Sequence, residues 1–297
     1  MPLTADSRRR LLADATLVLV AFIWGLGIPI SADMVRTLSP IWSSALRMSV
    51  AGLAVLAIYP ARIRRATLTD WRGGLAMASI ISIVFTLMGF ALLYSTASKQ
   101  AFIIGTSVLL VPFLAWAVNR HRPHRYVFIG AALGTTGLLV MGFSPGMRFN
   151  FGDLLNLIMC FFWAGQVIVI EYLVRRMDPT TLVALQLPLV GVIMTAAAYL
   201  IEGPIDLTAI QPVTWAEVVF TGLVNTVLCF ILQTRAQKNT TASHTAIILS
   251  LESVFGYLIS VVSGQDPFVV QGAIGGFIIT CGVFVSELET ILGLKEE

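Results

Sequence analysis

The segment ILSLESVFGYLIS, residues 248–260, carries a single carboxylate, Glu252, among otherwise uncharged and mostly apolar residues. An ionisable group inside a bilayer-crossing helix is costly, and such groups mark ion or substrate paths. Two readings stand. Glu252 is either a protonated side chain bonded to a neighbouring helix for packing, or a carboxyl whose charged form is disfavoured by burial and which exchanges a proton or meets a cationic substrate group when a cavity opens. His244 lies eight residues earlier, about 80° around a helix that turns 100° per residue, on the same broad face. It reads either as a neutral imidazole bonded to a backbone carbonyl or as a proton stop on the way to Glu252. Protons are therefore a candidate coupling ion.

Other residues suggest a wall, a kink and a polar lining. Trp24 and Trp163 sit in the middle of apolar runs, where an indole is either a stacking surface for a substrate or an interfacial anchor. In WGLGIP, the Pro29 ring removes a backbone donor and crowds the carbonyl of Gly25, which predicts a kink used for packing or for substrate contact. Gln166, Asn225, Gln233 and Gln100 place amides in apolar spans. Each can tie helices together, and with Glu252 they outline a wet, nearly neutral interior. Arg47 is expected to snorkel or to pair within the bundle, Lys99 to end a helix in solvent, and His121 and His124 to lie in a solvated loop. Glu171 is expected to pair with Arg175 one turn later. Cys160, Cys229 and Cys281 show no CxxC or Cys/His spacing, so no disulfide framework, metal site or cofactor is expected, and they read as packing residues.

Holding these groups requires long apolar helices. Of the 297 residues 57% are hydrophobic and 12% charged, with a mean hydropathy of +0.87, whereas soluble domains are about a quarter charged. A span takes roughly 20 apolar residues, and ten windows fit: 12–32, 40–60, 73–95, 99–118, 125–143, 152–174, 180–201, 214–234, 240–262 and 268–289. The basic start and first apolar run are too long for a signal peptide and lack its small-residue cleavage site, so they read as the first span. Most of the 19 Lys and Arg fall in gaps on one side, as in Arg8–Arg10, Arg62–Arg72, Arg120–Arg125, Arg175, Arg176, Arg235, Lys238 and Lys295, while Arg36, Lys99 and Arg148 fall on the other. The cytoplasmic side carries the excess of cations, which puts both termini in the cytoplasm of a bacterial inner membrane. The gaps are too short for a soluble domain, and no basic stripe interleaved with aromatics points to nucleic acid.

The two halves echo one another. Laying 22–46 on 161–185 pairs Phe22 with Phe161, Trp24 with Trp163, Arg36 with Arg175 and Pro40 with Pro179, and a similar overlay sets Pro112 opposite Glu252. Gly130 and Gly134 correspond to Gly272 and Gly276, two small-xxx-small spacings that let helices approach closely. The expected fold is an all-α membrane protein of ten transmembrane helices, built as two inverted five-helix repeats over 1–146 and 147–297. An odd number of spans per half inserts the halves in opposite senses, as in many secondary transporters. Trp24 and Trp163 are then expected to face each other across the pseudo-twofold axis.

FIWGLGIPI, TASKQAFIIGTSVLLVPFLAW, LQTRAQKNTTASHTAIILSLESVFG and GAIGGFIITCGVF, in this order, make the chain resemble EamA-type members of the drug/metabolite transporter superfamily over essentially its whole length. That resemblance implies a central cavity and transport of a small organic metabolite by alternating access. The resulting reading is a secondary transporter, taken as an exporter of a small polar or amphipathic metabolite such as an amino acid or a related compound, with the substrate and the lipid bilayer as its partners. An uncoupled facilitator is the alternative, ahead of a membrane enzyme or a sensor. The candidate pathway residues are Glu252, His244, Trp24, Trp163, Gln166, Asn225, Gly25, Pro29 and Pro112. No Walker motif, HExxH or nucleophile elbow is present, which argues against an ATP-driven pump or a hydrolase.

Overall fold

The computed structural model describes residues 5–94, 103–120, 122–142, 150–264 and 267–292. Lys99, Gln100, His121, Arg148 and Lys295 lie outside the described residues, as does the 146/147 junction. Regular structure among the described residues is helical: α1 (Ala5–Thr37), α2 (Pro40–Ile58), α3 (Pro60–Arg65), α4 (Leu68–Leu92), α5 (Ser107–Asn119), α6 (Arg125–Gly142), α7 (Phe151–Val174), α8 (Pro179–Glu202), α9 (Pro212–Phe220), a π-helical stretch (Thr221–Leu228), α10 (Cys229–Gln237), α11 (Ala242–Leu249), α12 (Leu251–Val262) and α13 (Val270–Leu292). Eight segments are long and apolar enough to cross a bilayer, and Ile103–Asn119 and Val270–Ser286 are shorter apolar helices. Val262, Leu200 and Val192 are 87%, 81% and 70% exposed; large outward apolar side chains of this kind suit hydrocarbon, not water.

Local sequence fixes where helices begin. Pro40, Pro60, Pro179 and Pro212 open their helices, where a missing N–H costs nothing. The prolines paired by the internal echo, Pro40 and Pro179, thus open α2 and α8. Reciprocal caps between Thr67 and Asp70 and between Asn150 and Asp153 start α4 and α7. Asp178 caps α8 through Thr181 N and also pairs with Arg62.

Two of the expected spans are not uniform helices. The eighth widens into a π-helix at Thr221–Leu228, with the Thr226 hydroxyl donating to Thr221 O at 2.9 Å. The ninth breaks at Ser250 between α11 and α12, where the Ser250 hydroxyl turns back on Ile247 O at 2.6 Å. Hydroxyl-to-carbonyl bonds of this kind compete with the helical ladder, a competition that hydropathy does not register. The pairing of α6 with α13 uses small residues, as the glycine spacing suggested: Gly130 and Gly134 take part, but against Gly282, while Gly272 and Gly276 face Tyr257 and Val254. A Cβ on Gly137 would sit 2.5 Å from Gly275 O, and one on Gly130 2.7 Å from Gly282 O.

Candidate functional site

A cavity of about 330 Å³ lies among α1, α2, α4, α5, α7, the π-stretch, α10, α11 and α12. Trp24 and Trp163 form one wall, their ring centroids 6.1 Å apart and tilted by 56°, so the two residues paired by the internal echo are neighbours. Phe230 continues that wall, 6.2 Å from Trp24. Trp24 is held by a clasp with the π-stretch: its Nε1 donates to Asn225 O at 2.8 Å, and Asn225 Nδ2 donates to Ile23 O at 2.9 Å. A Cβ on Gly27 would collide with the Asn225 amide, so the clasp depends on a bare backbone there. A widened helical turn frees main-chain groups for such contacts. Asn225 Oδ1 is buried without a hydrogen-bond partner.

The lining carries two charges, Glu252 and Arg47. Glu252 sits in the first turn of α12, just past the break at Ser250, where the helix dipole favours negative charge. Its carboxylate makes no hydrogen bond or ion pair among the described residues. Arg47, expected to snorkel or to pair, does neither: its guanidinium lies over the Phe85 ring at 4.8 Å from the centroid. Ser43, one turn earlier on α2, lines the cavity beside it. The lining runs from Asn225, Leu249 and Glu252 in mid-bundle to Val35 and Pro40 at the α1–α2 corner and to Gly89 on α4.

The other pathway candidates lie elsewhere. His244 is 1% exposed and outside the cavity lining, so it does not share the cavity with Glu252. Its Nε2 faces Ser286 O at 3.1 Å. A carbonyl only accepts, so in the neutral ring Nε2 carries the proton and Nδ1 accepts from the Thr241 hydroxyl at 2.9 Å; Arg10 Nη2 lies 3.2 Å from Nε2. Gly25 packs α1 on α12, where a Cβ would meet Phe255 Cβ at 2.7 Å and Glu252 O at 3.1 Å. Pro29 lies within α1, which runs through it as one helix. Pro112 lies within α5 and is buried beside Val108 and Val111, and those two valines, not the proline, line the cavity. Gln166 is 1% exposed with neither amide atom partnered, again outside the lining.

The bundle end opposite the α1–α2 corner is tied by polar contacts. Glu171 pairs with Arg175 at 2.7 Å, as expected, and its other oxygen accepts from Ala242 N at 2.8 Å, capping α11. Gln237 Nε2 donates to Val167 O at 3.1 Å, and Arg235 reaches the Thr180 hydroxyl at 3.0 Å. At the α1–α2 corner, a second cavity of about 470 Å³ lies under the 203–211 loop, where Glu202 accepts from Ile41 N and Trp42 N. In that loop the Thr208 hydroxyl and amide hold the Asp206 carboxyl below the usual range. Among the described residues no cluster of His, Cys, Asp or Glu is placed to hold a metal ion.

Apolar helices of span length packed around a cavity with aromatic walls mark an integral membrane protein. More narrowly, the chain belongs to the EamA-like transporter family, whose family model matches it twice, over residues 11–143 and 150–288; this places it in the drug/metabolite transporter superfamily. Among its relatives is an uncharacterized transporter of Archaeoglobus fulgidus, 28% identical over 294 residues, with 96% of this chain and 88% of the relative covered. An uncharacterized transporter of Methanothermobacter thermautotrophicus is 22% identical over 304 residues, covering 93% and 86%. A crystal structure of a protein superposes with a TM-score of 0.80 at 18% identity over 94% of this chain and 98% of that one, a likeness of fold alone.

Proposed function

We propose that this transporter is a secondary exporter of a small polar or amphipathic metabolite, with amino acids and their relatives as the first candidates, working by alternating access of two inverted five-helix repeats, 1–146 and 147–297. The observation that carries the reading is the cavity at mid-bundle that brings Trp24 and Trp163, residues paired by the internal echo, together with Glu252 and Asn225. Sites at the interface of repeats near the bilayer midplane are the rule for such transporters. A lining that reaches the α1–α2 corner while the other end is tied by Glu171, His244 and Gln237 fits one of two alternating states. Glu252, unpartnered in the cavity, is the group best placed to meet a proton or a cationic solute.

Proteoliposomes test this directly. The purified protein should move a labelled metabolite across the bilayer without changing it. Chemical conversion of the solute would make the protein an enzyme, and binding without movement would make it a sensor. For the repeat topology, single cysteines at positions 122 and 148, in a background lacking the native three, should react with an impermeant thiol reagent from opposite sides of the membrane, the first from the cytoplasm. Reaction of both from one side would end the ten-span arrangement.

A further inference from the structure

Arg47 and Glu252 are the two charged residues on the cavity lining, and each is the other's main counter-charge. They nevertheless form no ion pair with one another or with any other described residue. Arg47 Nε is buried without a hydrogen-bond partner, and its guanidinium lies against the Phe85 face. Stacking of this kind answers part of the positive charge and leaves the N–H edge for an oxygen. A buried charge is retained when something pairs with it, and the described residues bring no ion-pair partner within bonding range of either group. A guanidinium is also the side chain whose planar fork fits a carboxylate or phosphate with two parallel hydrogen bonds. Most of the remaining lining is apolar or aromatic, Trp24, Trp163 and Phe85 included, with Asn225 and several serines among it.

We propose that Arg47 is the anion-binding group of this cavity, and that Arg47 and Glu252 together select a solute bearing one anionic and one cationic group on an apolar or aromatic body. The assignment rests on the reading of the cavity as the substrate site. It accounts for an arginine buried in a span without an acidic neighbour in bonding range, and for two opposite charges held apart in one cavity.

The test uses two matched sets of probes on the purified full-length protein: L-phenylalanine with 2-phenylethylamine and 3-phenylpropanoate, and L-leucine with 3-methylbutylamine and 4-methylpentanoate. Binding is read from the ligand-induced rise in unfolding temperature, which grows with affinity by mass action. In at least one set the zwitterion should bind about tenfold or more tightly than either singly charged analogue, the worth of a charge-assisted hydrogen bond. Arg47→Gln should abolish the advantage of the zwitterion over the amine, and Glu252→Gln its advantage over the acid. If Arg47→Gln does not fold, Arg47→Lys, which keeps the charge without the fork, should still weaken the zwitterion. Equal binding of zwitterion and amine overturns the assignment. So does an unchanged carboxylate preference in a folded Arg47 variant, or the absence of binding by every probe. Loss of binding in Trp24→Ala and Trp163→Ala with no dependence on Arg47 refutes the Arg47 assignment alone. Zwitterion binding indifferent to both tryptophans and to Arg47 removes the cavity as the site as well.

Discussion

Glu252 and His244 stand eight residues apart on consecutive helices, and their surroundings are opposite. Glu252 faces the cavity with no partner. His244 is packed away from it, with one ring nitrogen on Ser286 O, the other on the Thr241 hydroxyl, and Arg10 against the ring. The same contrast separates Glu252 from Glu171, which is buried in α7 and bound to Arg175 and to Ala242 N. An ionisable side chain in an apolar span therefore has two distinct uses. Satisfied from within the chain, it fastens helices together; unsatisfied beside a cavity, as Glu252 is among the described residues, it is open to a partner from outside the chain.

Breaking that contrast is most direct at Glu252. Glu252→Leu should give a folded, membrane-inserted protein whose uptake into proteoliposomes falls by about thirtyfold or more, the usual cost of removing one side of a desolvated charge contact, here the contact proposed with the solute. Glu252→Gln keeps the shape and most hydrogen-bonding capacity but removes ionisation, so uptake should persist with a flattened pH profile. An unchanged profile would turn Glu252 into a structural hydrogen-bonding group.

The tryptophans sharpen the comparison next. Removing Trp24 or Trp163 should weaken solute binding by about tenfold, as for an aromatic anchor at the centre of a site. Trp116, 41% exposed on α5 beneath Arg122, should cost less than about twofold as Ala, in line with surface substitutions. Equal losses at all three positions, measured by equilibrium binding, would make the indole pair a packing feature.

At His244 the expected effect is on stability. His244→Ala leaves Thr241 and Ser286 without their partner and should lower unfolding stability by about 1–3 kcal/mol, with solute affinity nearly unchanged. Affinity lost as steeply as at Glu252 would put His244 in the solute or proton path and erase the distinction. The smallest effect is expected at Gln166, whose amide is buried and unpartnered. Exchange for an apolar side chain of similar size removes an unpaired polar group and should be neutral or stabilising by up to about 1 kcal/mol. Loss of transport in a stable Gln166→Leu protein would show that this amide meets the solute in another state.

Much of this was readable before any coordinates. Apolar runs of span length announced the helices, proline and Thr or Asn caps marked their starts, and the echo between 22–46 and 161–185 brought Trp24 to Trp163. Glu171 and Arg175, one helical turn apart, are paired as local spacing implies. Glu252 stood out because a lone carboxylate in thirteen residues of span needs a reason. The Trp24–Asn225 clasp was not readable, because it depends on a π-helical widening and on the bare backbone of Gly27, neither of which has a hydropathy signature.

The sequence by itself determined that this chain is a membrane-embedded helical transporter and which few polar groups its apolar spans carry. Which of those groups share the cavity came from the packing of the helices: Arg47 joined Glu252, while His244, Gln166 and the two prolines did not. The reason is physical. A helix in water shows its inner face by the period of its apolar residues, but a bilayer is as apolar as the interior of the bundle. Hydrophobicity therefore runs all the way round each span, and the inward face is set by packing between helices far apart in the chain.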